Sequence, residues 1–166
     1  AAHPPLVQKE KTDIAQIYAA LSYGVKKFLE SIRMEKVVIG ASGGIDSAVA
    51  AALYVSVLGA KNVLLVNMPS RFNSQTTKDL ARTLSENLGC FYAVFPIEES
   101  VRHTIDQIET IPIEFLAGDE KKTLPISSFL AENIQARDRS SRILAAAAAA
   151  FGGGFPCNAN KAEMTV

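Results

Sequence analysis

Two glycines flanked by hydroxyl side chains and followed by a carboxylate form the stretch of this sequence most suited to chemistry, Ser42-Gly43-Gly44-Ile45-Asp46-Ser47. A β-branched run precedes the glycines and a long apolar segment follows them, a pattern that predicts strand, tight turn and helix. Backbone N–H groups at such a helix start have no partner within the helix, and the helix dipole adds positive charge there. Because the side chains are small, an anion can approach closely. The stretch therefore predicts a phosphate site.

Two common phosphate-binding turns do not fit this stretch. A Walker loop ends in Gly-Lys followed by Ser or Thr, and the chain contains no Gly-Lys pair. The G-x-G-x-x-G spacing of dinucleotide-binding folds is also absent from the turn. The turn must therefore hold phosphate through its backbone N–H groups and hydroxyls, without a lysine of its own.

Hydrophobic periodicity predicts the elements that position this turn. Residues 12–32 carry apolar side chains at three- and four-residue steps, which predicts an amphipathic helix leading into the first strand at residues 37–39. Residues 45–58 are apolar or small nearly all round, so we expect a buried helix that ends at Gly59. Residues 62–68 are a nearly continuous apolar run, typical of a central parallel strand.

The second half of the chain continues the alternation of strands and helices. We expect helices at about residues 75–88 and 97–108, with a third strand at residues 90–95 between them. Residues 110–125 combine prolines and a glycine with a charged cluster, which favours a mobile connection.

One long helix is predicted to follow, capped by Ser127 or Ser128 and reaching about residue 151. Its alanine run at residues 145–150 favours tight packing under the sheet, because alanine lets neighbouring elements approach closely. Residues 155–158 are predicted to form a short fourth strand.

These elements predict an α/β fold, a three-layer Rossmann-like parallel sheet flanked by helices. Ligands of such sheets bind outside the carboxyl ends of the strands. The glycine turn, residues 69–73 and residues 158–163 all follow predicted strands. We therefore expect these three segments to converge on one crevice.

Length and composition limit the function classes. The 166 residues predict one domain over residues 1–166, with residues 1–10 a linker or a cloning remnant. Lys plus Arg and Asp plus Glu both number 17, so no overall charge favours a nucleic acid or an anionic membrane. The two cysteines, Cys90 and Cys157, are far apart, which favours the cytoplasm, and no apolar run is long enough to span a membrane.

The glycine turn resembles the Ser-Gly-Gly-x-Asp-Ser pyrophosphate loop of the N-type ATP pyrophosphatases. Three further motifs narrow the resemblance to NAD synthetases, and to the synthetase domain of the glutamine-dependent kind: Met68-Pro69-Ser70-Arg71, Glu132-Asn133-Ile134-Gln135-Ala136-Arg137 and Asn160-Lys161-Ala162-Glu163-Met164-Thr165-Val166. The resemblance covers about residues 12–166 and implies an adenine nucleotide alpha hydrolase-like fold. Ala159 and Ala162 stand where the family more often has Gly and Ser. The family also continues beyond residue 166, with a lysine that helps hold the ATP phosphates, so the resemblance implies a domain incomplete at its C-terminus.

The resemblance implies ATP-dependent amidation of deamido-NAD (nicotinic acid adenine dinucleotide). The carboxylate is adenylated with release of pyrophosphate, and ammonia then displaces AMP to give NAD⁺. Nitrogen would come from ammonia or from glutamine through a glutaminase domain that this chain lacks. The resemblance also implies Mg²⁺ and a homodimer. Two alternatives stay open: another ligase of the superfamily such as a GMP synthetase, and a catalytically incomplete nucleotide-binding fragment.

Most site residues that the resemblance implies have a structural alternative. The ATP contacts would be Ser42, Gly43, Gly44, Ile45, Asp46, Ser47, Arg71 and Thr165. Asp46 and Glu163 would be the Mg²⁺ ligands. The alternatives are an ordinary strand-to-helix turn, an aspartate that stabilises the helix dipole, and solvated charges for Arg71 and Glu163.

Three residues spaced by four, Phe129, Asn133 and Arg137, share one face of the predicted long helix. The resemblance implies that this face contacts deamido-NAD, with Phe129 stacking on the ligand. The alternative is a core phenylalanine with polar neighbours at the surface. Cys157 is interpreted as a small core residue, and no residue is assigned as a catalytic acid or base.

Overall fold

The computed structural model describes residues 13–70 and 75–158, and it describes side chains in these ranges except those of residues 75–78. The predicted ligands Arg71, Glu163 and Thr165 lie outside the described residues. So do the predicted linker or cloning remnant at residues 1–10 and most of the last predicted crevice segment.

Within these ranges, three parallel strands form the sheet: β1 (Val37–Gly40), β2 (Val63–Asn67) and β3 (Phe91–Val94), in the order β1-β2-β3. Val37 lies opposite Val63, and Leu64 lies opposite Phe91. The helices are α1 (Ile14–Ser31), α2 (Ile45–Leu58), α3 (Gln75–Leu88), α4 (Glu98–Thr110), α5 (Ser128–Arg137) and α6 (Ala145–Phe151). A short 3₁₀ turn at Ala60–Asn62 connects α2 to β2. The predicted α/β class with a parallel sheet is confirmed.

Helices cover both faces of this sheet. Because side chains alternate along a strand, β1 and β2 contribute to two separate apolar clusters. On one face Ile39 and Leu65 pack with Leu29 of α1 and Ala51 of α2. On the other face Val38 and Val66 pack with Ala148 of α6. The three-layer arrangement predicted from the sequence is therefore present in the described part of the chain.

The prediction that α2 is a buried helix is wrong for the side that faces away from the sheet. Ser47 and Ala51 are buried, whereas the side chains of Ile45 and Val49 are 74% and 60% exposed. The helix lies on one face of the sheet, so only the side that faces β1 and β2 is covered. Helix α1 has nearly its predicted bounds, but Leu29 is its only buried residue.

The predicted long helix after residue 127 is present, but its middle part is π-helical. Ser127 caps it as expected, since its Oγ accepts a hydrogen bond from the Leu130 N–H at 3.3 Å. Between α5 and α6 the backbone forms a π-helical segment, Asp138–Leu144. Within the alanine run only Ala148 is buried, so the predicted close packing under the sheet is confirmed on one face of the helix.

A strand at residues 155–158 was predicted and is not formed. Within the described residues, the segment after α6 pairs with the outer edge of β1 at Gly154 alone, and the Gly154 carbonyl accepts a hydrogen bond from the Val38 N–H at 2.8 Å. A Cβ atom on Gly153 would lie 2.0 Å from the Lys36 carbonyl oxygen, so glycine is required for this close approach. Pro156 has no N–H to donate, which prevents the pairing from continuing.

The connection at residues 110–125 contains a small antiparallel ribbon that the sequence did not predict. Its strands are β4 (Ile113–Glu114) and β5 (Lys121–Lys122), and Ile113 lies opposite Lys122. Strands of two residues have no hydrophobic period to detect. Among the helices that the structure describes, none has the length and apolar character needed to cross a membrane.

Candidate functional site

The glycine turn joins the carboxyl end of β1 to the start of α2. Gly43 has a φ of 86°, a left-handed conformation that favours glycine. The Ser42 Oγ accepts a hydrogen bond from the Gly44 N–H at 3.2 Å. The buried Ser47 Oγ donates to the Gly44 carbonyl at 2.9 Å and lies 3.3 Å from the Ser42 Oγ. The hydroxyl groups of Ser42 and Ser47, two predicted site residues, therefore stabilise the turn through hydrogen bonds within it.

The backbone of the turn offers donors to an anion. The first hydrogen bond of α2 runs from the Ala48 N–H to the Gly44 carbonyl at 3.2 Å. The N–H groups of Ile45, Asp46 and Ser47 therefore precede the helical ladder, and no partner for them occurs within residues 13–70 and 75–158. The positive end of the helix dipole lies at the same place. This arrangement of donors suits a phosphate group.

A cavity of about 510 Å³ opens beside the turn at the carboxyl ends of β1 and β2. Its walls include Ser42 from the turn, Asn67 and Met68 from the end of β2, and Asn158 from the segment after α6. Two of the three segments expected to converge, the glycine turn and residues 158–163, therefore contribute to the cavity through Ser42 and Asn158, whereas the described residues 69 and 70 of the middle segment do not line it. Cys157 also lines the cavity and is exposed, so its interpretation as a core residue is wrong.

Asn67 contributes a polar group that sequence reasoning missed. Its side chain is 3% exposed, and its Nδ2 donates to the Ala41 carbonyl at 2.8 Å. This bond fixes the end of β2 against the end of β1. The Oδ1 atom of Asn67 is buried and has no hydrogen-bond partner in the described part of the chain. An asparagine at the end of an apolar strand is the only sequence signal that could have indicated it.

Among the described residues of the cavity wall, Arg139 is the cationic one, and it too was missed. It lies in the π-helical segment, and its Nε donates to the Met68 carbonyl over 3.4 Å, a long bond. Partial burial lowers the pKa of the Arg139 guanidinium, and the charge of Asp138 partly opposes this effect.

A hydrogen-bonded ion pair anchors the π-helical segment to α4. Arg142 donates to both carboxylate oxygens of Asp138, at 2.6 and 2.7 Å. The Ser100 Oγ of α4 donates to the same carboxylate at 2.9 Å. The bonds from Arg142 lower the pKa of Asp138, burial opposes them, and the Ser100 hydroxyl adds to the lowering. The carboxylate therefore stays ionised at neutral pH.

The face of α5 formed by Phe129, Asn133 and Arg137 exists as predicted. Asn133 Nδ2 donates to the Phe129 carbonyl at 3.0 Å, and Arg137 Nη1 donates to the Asn133 Oδ1 at 3.2 Å. The Phe129 side chain is 70% exposed, so the alternative of a core phenylalanine is wrong. None of the three residues lines the cavity beside the glycine turn.

The donor set at the turn fits a Mg²⁺ ion that is shared with phosphate. The exposed carboxylate of Asp46 lies in the first turn of α2. Mg²⁺ is usually held by one or two carboxylates together with substrate phosphates and water, so one hard oxygen ligand at a phosphate-binding turn is compatible with it. No cluster of three or more acidic, histidine or cysteine ligands occurs among the described residues.

A parallel α/β sheet with a phosphate-type turn after its first strand defines the class of this protein, the adenine nucleotide alpha hydrolase-like fold. The NAD synthase family model matches residues 17–166. The chain belongs to the NAD synthase family.

Named relatives agree with this assignment. A glutamine-dependent NAD(+) synthetase of Aquifex aeolicus is 36% identical over 81% of this chain and 22% of its own length. That of Thermotoga maritima is 31% identical over 96% of this chain and 26% of its own. A solved glutamine-dependent NAD⁺ synthetase from Acinetobacter baumannii, in complex with ADP, superposes with a TM-score of 0.79 at 25% identity, over 99% of this chain and 28% of that one. The chain thus spans about a quarter of the length of these relatives.

Proposed function

We propose that this chain catalyses the ATP-dependent amidation of deamido-NAD to NAD⁺. The observation that carries the proposal is the glycine turn, whose first N–H groups have no partner among the described residues and lie beside a cavity at the strand ends. Membership of the NAD synthase family supports the choice of substrates. No relative named above is a GMP synthetase, so that alternative has no support from them.

In the first step, a carboxylate oxygen of deamido-NAD attacks the α-phosphorus of ATP. The bond from the α-phosphorus to the bridging oxygen breaks, and pyrophosphate leaves with the electron pair. The N–H groups of Ile45, Asp46 and Ser47 bind the β and γ phosphates and stabilise the charge that develops on pyrophosphate. Ser42, Gly43 and Gly44 hold these donors in place through the hydrogen bonds within the turn.

In the second step, ammonia attacks the carbonyl carbon of the adenylated nicotinate, and AMP leaves. The cavity keeps the acyl adenylate aligned and limits the access of water. Asp46 would hold Mg²⁺ together with Glu163. The metal supplies Lewis-acid stabilisation of the phosphate charge when it is bound. Arg71 and Thr165 remain proposed ATP contacts.

The face of α5 is the proposed contact for deamido-NAD. Phe129 exposes its ring, which leaves it available to stack on a flat heterocycle. Asn133 and Arg137 form one hydrogen-bonded pair, so the amide fixes the direction of the guanidinium. Both side chains can bond to hydroxyl or phosphate oxygens of the dinucleotide.

AMP release tests the proposal. We expect the chain to form AMP from ATP only when deamido-NAD and ammonium are both present, with NAD⁺ formed in equal amount. Omission of each substrate in turn provides the controls. ADP as the product, or AMP formation with GMP precursors in place of deamido-NAD, would contradict the proposal.

The small share of the relatives' length that the chain spans favours a second candidate, nucleotide binding without turnover. In that case ATP and deamido-NAD raise the melting temperature, but no AMP appears. The two candidates are separated by measuring both quantities on the same preparation.

Several partners remain proposals. Glutamine could supply the nitrogen through a glutaminase domain, since the named relatives are glutamine-dependent and much longer than this chain. A homodimer is proposed from the family resemblance. The cytoplasm remains the proposed location, and both Cys90 and Cys157 are free thiols.

A further inference from the structure

The guanidinium of Arg139 is partly withdrawn from water and has no carboxylate partner among the residues that the structure describes. No acidic side chain lies within ion-pair distance of it in the part of the chain that the structure describes. The carboxylate next to it in sequence, Asp138, is already bonded through both oxygens to Arg142. A desolvated cation is unfavourable unless an anion compensates it, so Arg139 is suited to bind one.

The backbone around Arg139 is held in an unusual conformation that directs it to the cavity. Arg142 bonds to Asp138 four residues earlier within the π-helical segment, and Ser100 attaches Asp138 to α4. A π-helical turn inside an α-helix is uncommon and often lies at a functional site. Arg139 and Ser140 from this turn both line the cavity.

The position of the cavity indicates which anion Arg139 meets. Gly40, Ala41 and Ser42 form one wall, directly before the N–H groups that bind the outer phosphates in the proposed function. In the proposed function, a nucleotide would place its outer phosphates at the start of α2 and its nucleoside toward the cavity. Its α-phosphate would then lie between the two.

We propose that Arg139 binds the α-phosphate of ATP and retains it in the adenylate and in AMP. This inference rests on the proposed function and adds a residue to the same site. A guanidinium can donate two parallel hydrogen bonds to phosphate oxygens, and partial desolvation strengthens them. Arg139 thereby neutralises charge at the phosphorus that the carboxylate attacks.

Binding of AMP and of adenosine to the whole 166-residue chain, measured by calorimetry, tests this role. Arg139→Met should weaken AMP binding about tenfold or more and leave adenosine binding unchanged, because only AMP carries the phosphate. Arg139→Lys keeps the charge but loses the paired geometry, so it should recover part of the AMP affinity. Arg82→Met, which removes an exposed arginine of α3, is the matched control and should bind both ligands normally.

Each other result has a definite meaning. If Arg139→Met weakened the binding of AMP and of adenosine equally, Arg139 would only support the cavity through the Met68 carbonyl. Unchanged AMP binding would exclude any role of Arg139 in binding. Either result would overturn this inference and leave the proposed function standing. If Arg139→Met does not fold, the test passes to Arg139→Lys, which must weaken AMP binding and not adenosine binding. Failure of the unsubstituted chain to bind AMP or ATP would overturn the proposed function as well.

Discussion

Asp46 has two potential roles, because an aspartate in the first turn of α2 can bind a metal ion or simply stabilise the helix dipole. We predict that Asp46→Ala lowers AMP formation about 100-fold or more, since it removes a ligand of the charge-stabilising site. Loss of the dipole interaction alone should lower the free energy of unfolding by no more than about 1 kcal/mol. Single-turnover AMP formation and urea unfolding measure the two effects.

Glu99→Ala provides the matched control for Asp46. Glu99 is an exposed acid in the first turn of α4, so its removal should change stability by a similar small amount and leave AMP formation intact. If Asp46→Ala kept normal AMP formation in this comparison, the assignment of Asp46 as a metal ligand would be wrong.

Gly43 allows a second test at the residue scale. Its φ of 86° disfavours any side chain, so Gly43→Ala should lower the free energy of unfolding by about 1 to 2 kcal/mol and weaken ATP binding. Gly24→Ala is the control, because Gly24 lies inside α1 with open space around it. Alanine should raise stability there by up to about 1 kcal/mol. Urea unfolding with opposite signs for the two variants is the expected result, and equal signs would contradict the account of the turn.

Residues whose role depends on local sequence were predictable, and those whose role depends on distant contacts were not. The turn from Ser42 to Ser47 is recognisable because its hydrogen bonds join neighbours. Arg139 contacts the carbonyl of Met68, which is 71 residues away, and no pattern near either residue indicates the contact. Asn67 is similar, since its partner Ala41 belongs to another strand.

At the scale of elements, apolar periodicity located the helices well but not their internal irregularity. The π-helical segment Asp138–Leu144 continues the helical path, so the same pattern fits an α-helix and a π-helix. The sequence did contain a relevant signal, an Asp-Arg pair at four-residue spacing. It is ambiguous because most such pairs are exposed.

The Asp138 ion pair predicts a pH dependence of stability. Because the pKa of Asp138 is lowered in the folded state, its stabilisation is present above the unfolded pKa of about 4 and is lost as the pH falls through the folded value. Asp138→Asn should therefore lower the free energy of unfolding by about 1 kcal/mol at neutral pH. The difference from the unsubstituted chain should shrink in acid, as measured by urea unfolding over a pH series.

An exposed ion pair of the same spacing serves as the control for this experiment. Arg82 and Glu86 of α3 are 72% and 65% exposed, so Glu86→Gln should change stability by less than about 0.5 kcal/mol at any pH. A difference between Asp138→Asn and the unsubstituted chain that stayed constant down to strongly acid pH would contradict the role assigned to the ionised carboxylate.

For the whole molecule, the sequence predicted the layers but not how completely each one is covered. Parallel strands follow from the alternation of strands and helices, and the structure has them. Yet apolar side chains of α1 and α2, including Tyr18, Leu21 and Val49, are about half exposed or more. Periodicity identifies an apolar face but not the element that packs against it. The prediction of a fourth strand was wrong for a similar reason, because the pairing of Gly154 with β1 depends on a close tertiary contact.

The central claim is that the chain activates a carboxylate by adenylation, and the fate of the carboxylate oxygens tests it most directly. Deamido-NAD that carries a heavy oxygen isotope in its nicotinate carboxylate is supplied with ATP and ammonium, and the products are analysed by mass spectrometry. The account predicts that one labelled oxygen passes to AMP and the other stays in the amide of NAD⁺. AMP without label would show that the carboxylate never attacked the α-phosphorus, and this result would contradict the account.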